Sequence, residues 1–328
     1  MKKIEGGITA AKGFLGAGVE AGIKYKNRKD MALIYSTKPC KVAGTFTTNV
    51  VKAAPVLWDQ KVLKNSDFVQ AVIINSGIAN AGTGKEGLLC CEKTAMSAEK
   101  VLNIPQEAVL IASTGVIGMQ VPVEKIEAGI TKLGESKGNS LAAGTLAAEA
   151  IMTTDTVSKQ MAVTFEVGGK AVTLGGMCKG SGMIHPNMCT LLAFVTTDLA
   201  ISKELLQKAV SESIQDTFNM VSVDGDTSTN DTYLLLANGL AGNAEIIEEN
   251  EDYYTFLKAL NELNTCLAKK IAGDGEGATA LFETKVIHAL TKEDARILSK
   301  SVICSSLTKA AIFGHDANWG RILCALGY

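Results

Sequence analysis

Hydrophobic and polar positions along the chain follow two alternating periods. The run from Phe68 to Ile74 is apolar at nearly every position and ends in Asn75-Ser76-Gly77, the pattern of a buried strand entering a turn. Lys85 to Leu102 and Ser140 to Met152 are rich in Ala, Leu and Glu and predict helices, the second stopping before Thr153-Thr154-Asp155-Thr156. Met161 to Val167 and Lys170 to Leu174 flank Gly168-Gly169 and predict a hairpin, followed by a glycine-rich loop and an apolar run over Leu191 to Val195. Ser202 can cap a helix whose apolar positions Leu205, Leu206, Ala209, Val210, Ile214 and Phe218 recur at helical spacing. A strand is predicted over Tyr233 to Ala237, after the polar turn Asp224 to Ser228. Asp252 to Ile271 fits a long amphipathic helix closed by Lys269, Lys270 and Gly273. Thr291 and Asp294 have capping-box spacing ahead of a helix over Ile297 to Ala311. Strands and helices mix without strict βαβ alternation, linker or repeat, so the expected fold is α+β, a layered sandwich and not a doubly wound sheet.

Composition narrows the function. The 328 residues, 47% hydrophobic and 20% charged, are enough for one large domain or two medium ones. Lys and Arg number 32 against 34 for Asp and Glu, a net charge of -2 with no basic concentration, so nucleic acid and polybasic membrane binding have no electrostatic support. Eight cysteines without a CxxC pair and only three histidines indicate neither a zinc ribbon nor a disulfide framework, and no metal is expected. The basic start is interrupted by Glu5, Lys12 and Glu20 and does not read as a signal peptide. The uncharged stretch Gly180 to Thr197 holds too many polar residues to cross a membrane, which makes cytoplasm the default compartment.

The segment from Lys179 to Asp198 is the most informative. A glycine loop meets Pro186 and then Thr190 at the head of a strand. A strand threonine is ordinarily a β-former, and generic nucleophile logic does not single it out, since no histidine lies at a suggestive spacing. The shortage of histidines does select among mechanisms. A threonine made N-terminal by chain cleavage carries its own base, an α-amine with a reference pKa of roughly 7.7 to 8.0. Taken alone, Ser113-Thr114-Gly115 reads as an ordinary turn, Lys179 as a loop lysine and Glu276 as a surface glutamate in Asp274-Gly275-Glu276-Gly277.

Five stretches change that picture: KGSGMIHPNMCT ending at Thr190, ASTGVIG at Ala112 to Gly118, IMTTDT at Ile151 to Thr156, VDGDTSTND at Val223 to Asp231 and HDANWGR at His315 to Arg321. Together with Gly7-Ile8-Thr9-Ala10 they closely resemble the ornithine acetyltransferase family of arginine biosynthesis, glutamate N-acetyltransferases that cleave themselves into two chains. The resemblance implies cleavage between Cys189 and Thr190 into a heavier chain, 1–189, and a lighter one, 190–328. It makes Thr190 the nucleophile that accepts acetyl, Thr114 and Gly115 the oxyanion stabilisers, and Thr153, Lys179, Thr190 and Glu276 the substrate-binding residues. The substrates implied are N2-acetylornithine and glutamate, the products ornithine and N-acetylglutamate, and the assembly a tetramer of two heavier and two lighter chains. No cofactor is implied; acetyl-CoA is a further donor in some members, and no nucleotide loop decides the matter here.

The chain departs from the family pattern at Ile78, where Asn is usual, and at His185 and Cys189, where Ala is commoner. It also ends at Tyr328, directly after the HDANWGR block, so the expectation is that the family's C-terminal elements, which supply an Asn and a terminal Ser or Thr to the pocket, are lacking and that transfer is weak. Competing readings are an amidohydrolase or aminopeptidase of the related self-cleaving fold and an inactive fragment. HDANWGR is expected to give structural support, with Trp319 packed in a core.

Overall fold

The computed structural model describes residues 1–185 and 191–328. The chain up to the gap forms β1 (Lys2–Ile4), β2 (Phe14–Val19), β3 (Met31–Phe46), α1 (Ala54–Asn65), β4 (Val69–Asn75), α2 (Gly84–Leu102), β5 (Val109–Ser113), α3 (Val123–Ser136), α4 (Leu141–Ala150), β6 (Lys159–Val167) and β7 (Lys170–Lys179). Beyond it lie β8 (Leu192–Thr197), α5 (Lys203–Asp216), β9 (Thr232–Ala237), α6 (Glu251–Gly273), α7 (Lys292–Cys304), α8 (Ser306–Phe313) and α9 (Trp319–Ala325).

The strands join in the order β1-β6-β7-β8-β9-β3-β4-β5, with β2 also on β3. Strand β3 is shared by two sheets. Its first part pairs with β2 and β4, its last residues, Lys41 to Phe46, pair with β9, and the register shifts between Tyr35 and Cys40. Pro39, which has no N–H to give a ladder, falls in that irregular stretch.

Side-chain alternation then builds the layers. On β9, Leu234 and Leu236 enter the core between the sheets, while Tyr233, Leu235 and Ala237 meet α5 and α6. On β4, Val72 and Ile74 enter the central core, while Ala71 and Ile73 meet the core under α2 and α3. The result is a four-layer sandwich, helices outside and two sheets inside, which is the layered α+β fold expected. The continuous apolar runs follow from it, because strands covered on both faces have no polar side. A polar tie crosses one layer: Tyr233 donates to Asn264 on α6 at 3.0 Å, and Asn264 donates to Ser213 on α5 at 2.9 Å.

The predicted elements hold with three changes. The single helix over Ile297 to Ala311 is two, because Ser305 is extended (φ -67, ψ 112) and its hydroxyl accepts the Thr308 N–H to cap the second. The long amphipathic helix begins at Glu251, capped by Asn250. Trp319 is 72% exposed at the start of α9, not packed in a core.

One buried charge cluster ties the site-bearing segments together. Lys159, fully buried at the start of β6, donates to Asp155 at 2.7 Å and to Asp274 at 2.5 Å. Asp155 also accepts the Gly180 N–H at 2.7 Å and the Thr153 N–H at 3.0 Å. Asp274 accepts the Thr156 N–H, and its carbonyl accepts the Ser181 hydroxyl at 2.7 Å. Burial opposes the charge on Asp155, yet Lys179, Lys159 and the Gly180 N–H hold its carboxyl below 3.8. Burial likewise opposes the charge on Lys159, and its two carboxylates outweigh it.

Replacing Lys159 by Met leaves two carboxylates without their cation and is expected to cost about 3 to 5 kcal/mol, read as a lower denaturant midpoint. The contribution of Asp155 is complete above its unfolded value of 3.8 and is lost as pH falls through its lower folded value. That of Lys159 is complete below 10.5 and is lost as pH rises through its higher folded value. Acid unfolding curves of wild type and Asp155→Asn should therefore differ in slope below about pH 4, where only wild type still loses this term.

Candidate active site

The first wall of the site is the turn after β5. Ser113 donates to the Asn75 side chain at 2.6 Å, Asn75 donates to the Ile78 carbonyl at 2.9 Å, and the Thr114 N–H donates to the Asn75 carbonyl at 3.0 Å. Gly115 adopts φ 131, and a Cβ there would lie 2.3 Å from the Gly77 carbonyl carbon. Only glycine fits that approach. Ile78, the departure from the family pattern, is buried in the core with α2 and α3 and contributes packing plus its backbone carbonyl.

Lys179, the last residue of β7, forms the floor. It is 7% exposed, and its Nζ donates to Thr114 Oγ1 at 3.3 Å. Burial pushes its ammonium below 10.5, against Asp155, Asp231 and Glu276, which favour the charge. The exposed Glu276 follows α6, its N–H donating to the Ser181 carbonyl at 3.0 Å. Its carboxylate lies so close to Gly182 that a Cβ on that glycine would come within 2.5 Å of Oε1. Thr153 is presented by Arg28, which donates to the Met152 and Thr153 carbonyls at 2.6 and 2.9 Å.

The VDGDTSTND stretch braces the loop that leads to the undescribed residues. Asp224 accepts the N–H groups of Met183 and Ile184 at 2.6 and 2.9 Å, and Thr227 donates to the His185 carbonyl at 3.0 Å. Asn230 donates to the carbonyls of Ala79 and Ser113 at 2.6 and 2.8 Å, clamping the Thr114 turn.

Thr114, Gly115, Thr153, Lys179 and Glu276 all line one cavity of about 350 Å³, together with Leu191. Cys189 and Thr190 lie outside the described residues, immediately before Leu191 in sequence. The wall also includes Asp231, 2% exposed, whose place there no spacing rule suggested. The available signal was its place at the end of a motif that served only as a family signature. His185 does not line this cavity: its Nδ1 lies 3.1 Å from Ser222 Oγ and 3.7 Å from Cys304 Sγ, toward α7. A larger cavity, about 530 Å³, lies between α6 and α8 and shares only Glu276 with these five residues.

Comparison with known proteins extends well past the site. The ArgJ family profile matches residues 16–328. The arginine biosynthesis bifunctional protein ArgJ 1 of Clostridium acetobutylicum is 53% identical over 98% of this chain and 78% of its own length, and ArgJ of Lactococcus lactis is 50% identical over 100% and 81%. The crystal structure of ArgJ from Bacillus halodurans is 42% identical with a TM-score of 0.55, over 57% of this chain and 96% of that one. Ornithine acetyltransferase from Mycobacterium tuberculosis, solved with ornithine, is 41% identical with a TM-score of 0.52, over 57% and 97%. The PH0078 protein of Pyrococcus horikoshii, 12% identical over 90% of this chain with a TM-score of 0.52, shares the fold alone. With the family profile matching nearly the whole chain and about half of all positions identical to relatives covered over more than three quarters of their length, the chain belongs to the ArgJ family.

Proposed function

We propose that this acetyltransferase of arginine biosynthesis moves acetyl from N2-acetylornithine to glutamate through an acetyl ester on Thr190, which becomes an N-terminus when the chain cuts itself between Cys189 and Thr190. The observation that carries the reading is the convergence of Thr114, Gly115, Thr153, Lys179 and Glu276 on one cavity whose wall includes Leu191, the residue bonded to Thr190. Five residues from four separate stretches of sequence meet there.

The chemistry follows from the donors. Lys179 donates into a lone pair of Thr114 Oγ1, which leaves the hydroxyl proton of Thr114 free to point at an oxyanion. With the Gly115 N–H beside it, the turn offers two donors to the tetrahedral centre formed when Thr190 attacks an acyl carbon, and one such donor is typically worth about 2.7 to 4 kcal/mol. The freed α-amine of Thr190 takes the hydroxyl proton. Lys179 meets the α-carboxylate of the amino-acid substrate, Glu276 meets the amino groups of ornithine, and Thr153 adds a hydroxyl. A covalent acetyl intermediate implies ping-pong kinetics.

Two features support the two-chain organisation. The solved relatives are covered almost end to end while spanning 57% of this chain, and 57% of 328 residues is about 187, the size of the 1–189 segment. The cut also falls between neighbours in one sheet. Strand β8 pairs with β7 on one side, and β9, which pairs with β8, is bonded to β3 on the other. The lighter chain thus fills the middle of a sheet whose outer strands belong to the heavier one. The pieces stay together, in a tetramer of two heavier and two lighter chains. No helix among the described residues is long and apolar enough to cross a membrane, and the cytoplasm is the proposed compartment.

Purified wild type should run as pieces of about 20 and 15 kDa, scaling 34.4 kDa by length, while Thr190→Ala stays whole. A wild type that remains intact after long incubation overturns the cleavage reading. The pieces should elute together without denaturant, and a free, folded lighter chain would count against the shared sheet. Thr114→Ala should slow acetyl transfer to glutamate by about 10² to 10³ with the fold retained; normal turnover would return Ser113-Thr114-Gly115 to an ordinary turn.

A further inference from the structure

Glutamate poses a problem that acetylornithine does not. In a two-step transfer through one threonine, both amino acids occupy the same cavity in turn, and Lys179 can meet the α-carboxylate of each. Their side chains carry opposite charges at neutral pH. Glu276 suits the ammonium of ornithine and for the same reason opposes the side-chain carboxylate of glutamate. Lys179 is the one cation among the described residues that line the cavity, and the α-carboxylate takes it.

The rim beside Tyr25 supplies two more. Tyr25, 45% exposed, lines the cavity from the loop between β2 and β3. Lys24 Nζ lies 4.9 Å from the centre of its ring and Arg28 Cζ 5.8 Å, so two cations stand at one aromatic face of the site. Lys24 packs over the lining residue Gly77, where a Cβ would come within 3.1 Å of Lys24 Cβ. Arg28 reaches the lining residue Thr153: its Nη2 donates to the Met152 and Thr153 carbonyls, and its Nε and Nη1 have no partner among the described residues. Neither cation is paired with a carboxylate among those residues, whereas the next in sequence, Lys29, is committed to Glu149 at 3.0 Å.

The loop is built to hold these charges in place. Asp30, 1% exposed, accepts the N–H groups of Ala21 and Ile23 at 2.7 and 2.6 Å. Asn27 takes the left-handed turn at φ 58, with its N–H on the Glu20 carboxylate at 2.6 Å. The Asp30 carbonyl accepts the Ser76 N–H at 2.9 Å, next to Gly77. A loop anchored at both ends and to the cavity wall has little ordering left to do when a ligand arrives.

We propose that Lys24 and Arg28 form the subsite for the side-chain carboxylate of the acetyl acceptor. The inference rests on the transfer reading above and deepens it: Lys179 holds the α-carboxylate in both half-reactions, and the side chain turns to Glu276 or to this rim according to the sign of its charge. Arg28 offers a fork that a carboxylate matches with parallel hydrogen bonds, and Lys24 adds a point charge. An amino acid with an uncharged side chain finds a partner at neither. Lys24 is exposed and Arg28 half-buried, so salt screens the pull of the rim on a carboxylate.

The test uses the purified enzyme with N2-acetylornithine as donor and compares glutamate, its uncharged isostere glutamine, and isotope-labelled ornithine as acceptors. Exchange with ornithine never places a side-chain carboxylate in the cavity. In wild type, kcat/KM for glutamate should exceed that for glutamine, and the ratio should fall as KCl is raised. Lys24→Met and Arg28→Gln should each lower that ratio by about 10-fold, mainly through KM for glutamate, and the double variant should lose the salt dependence. Arg28→Gln also releases the Thr153 carbonyl, which bears on every acceptor alike; Lys24 bonds to no carbonyl, so its variant isolates the charge. A glutamate-to-glutamine ratio that stays at the wild-type value in Lys24→Met, or a fall shared equally by glutamate, glutamine and ornithine, overturns the subsite. A wild type that transfers acetyl to none of the three overturns the transfer reading itself, which separates the two failures.

Discussion

Most of the site hangs on a single buried ammonium. Lys159 lies in the sandwich with no exposed surface, and its charge is tolerable only because Asp155 and Asp274 come to it. Asp155 follows α4 and carries Thr153, Asp274 ends α6 and is two residues from Glu276, and the backbone N–H of Gly180, next to Lys179, closes on Asp155. Three segments more than twenty residues apart are thus drawn to one point by the need to neutralise one cation. Each brings a residue of the cavity with it.

The cluster also divides electrostatic labour. Lys179 stands between Asp155, whose charge is secured by Lys159 and backbone donors, and Asp231, whose charge is not. Burial pushes the Lys179 ammonium down and the Asp231 carboxyl up, while the carboxylates around the lysine work against its burial. The same lysine orients the Thr114 hydroxyl. Substituting any of these groups shifts the others, so effects of double variants at Asp155, Lys179 and Asp231 should not add.

The loop that leads up to the proposed cleavage site is held from outside. Asp224 caps the backbone at Met183 and Ile184, and Asn230 bolts the Thr114 turn to the Ala79 carbonyl, so one polar motif aligns both sides of the cavity. Both residues come from the segment after Thr190, whereas the turn and the glycine loop come from the segment before it. After the proposed cut the two pieces would still share one continuous sheet, because β8 and β9 pair between β7 and β3.

Local chemistry along the chain determined a good deal of this. Periodicity located β4, the hairpin of β6 and β7, and α2, α5 and α6, since each buries a face that repeats at its own period; Ser202 and Thr291 announced their helices because a cap is made within one turn. It was silent on β3, where a strand passing between two sheets changes partners midway, and it fused α7 with α8 because a serine that ends one helix by capping the next has ordinary helical neighbours. The motifs named the family and pointed to Thr114, Gly115, Thr153, Lys179 and Glu276, but on spacing alone each was a turn or surface residue. What made them a cavity was tertiary: a buried cation recruiting two distant carboxylates, and a Gly77 carbonyl pressed so close that only Gly115 fits. Asp231 belongs wholly to that second class, because burial is a property of surroundings that no stretch of sequence contains.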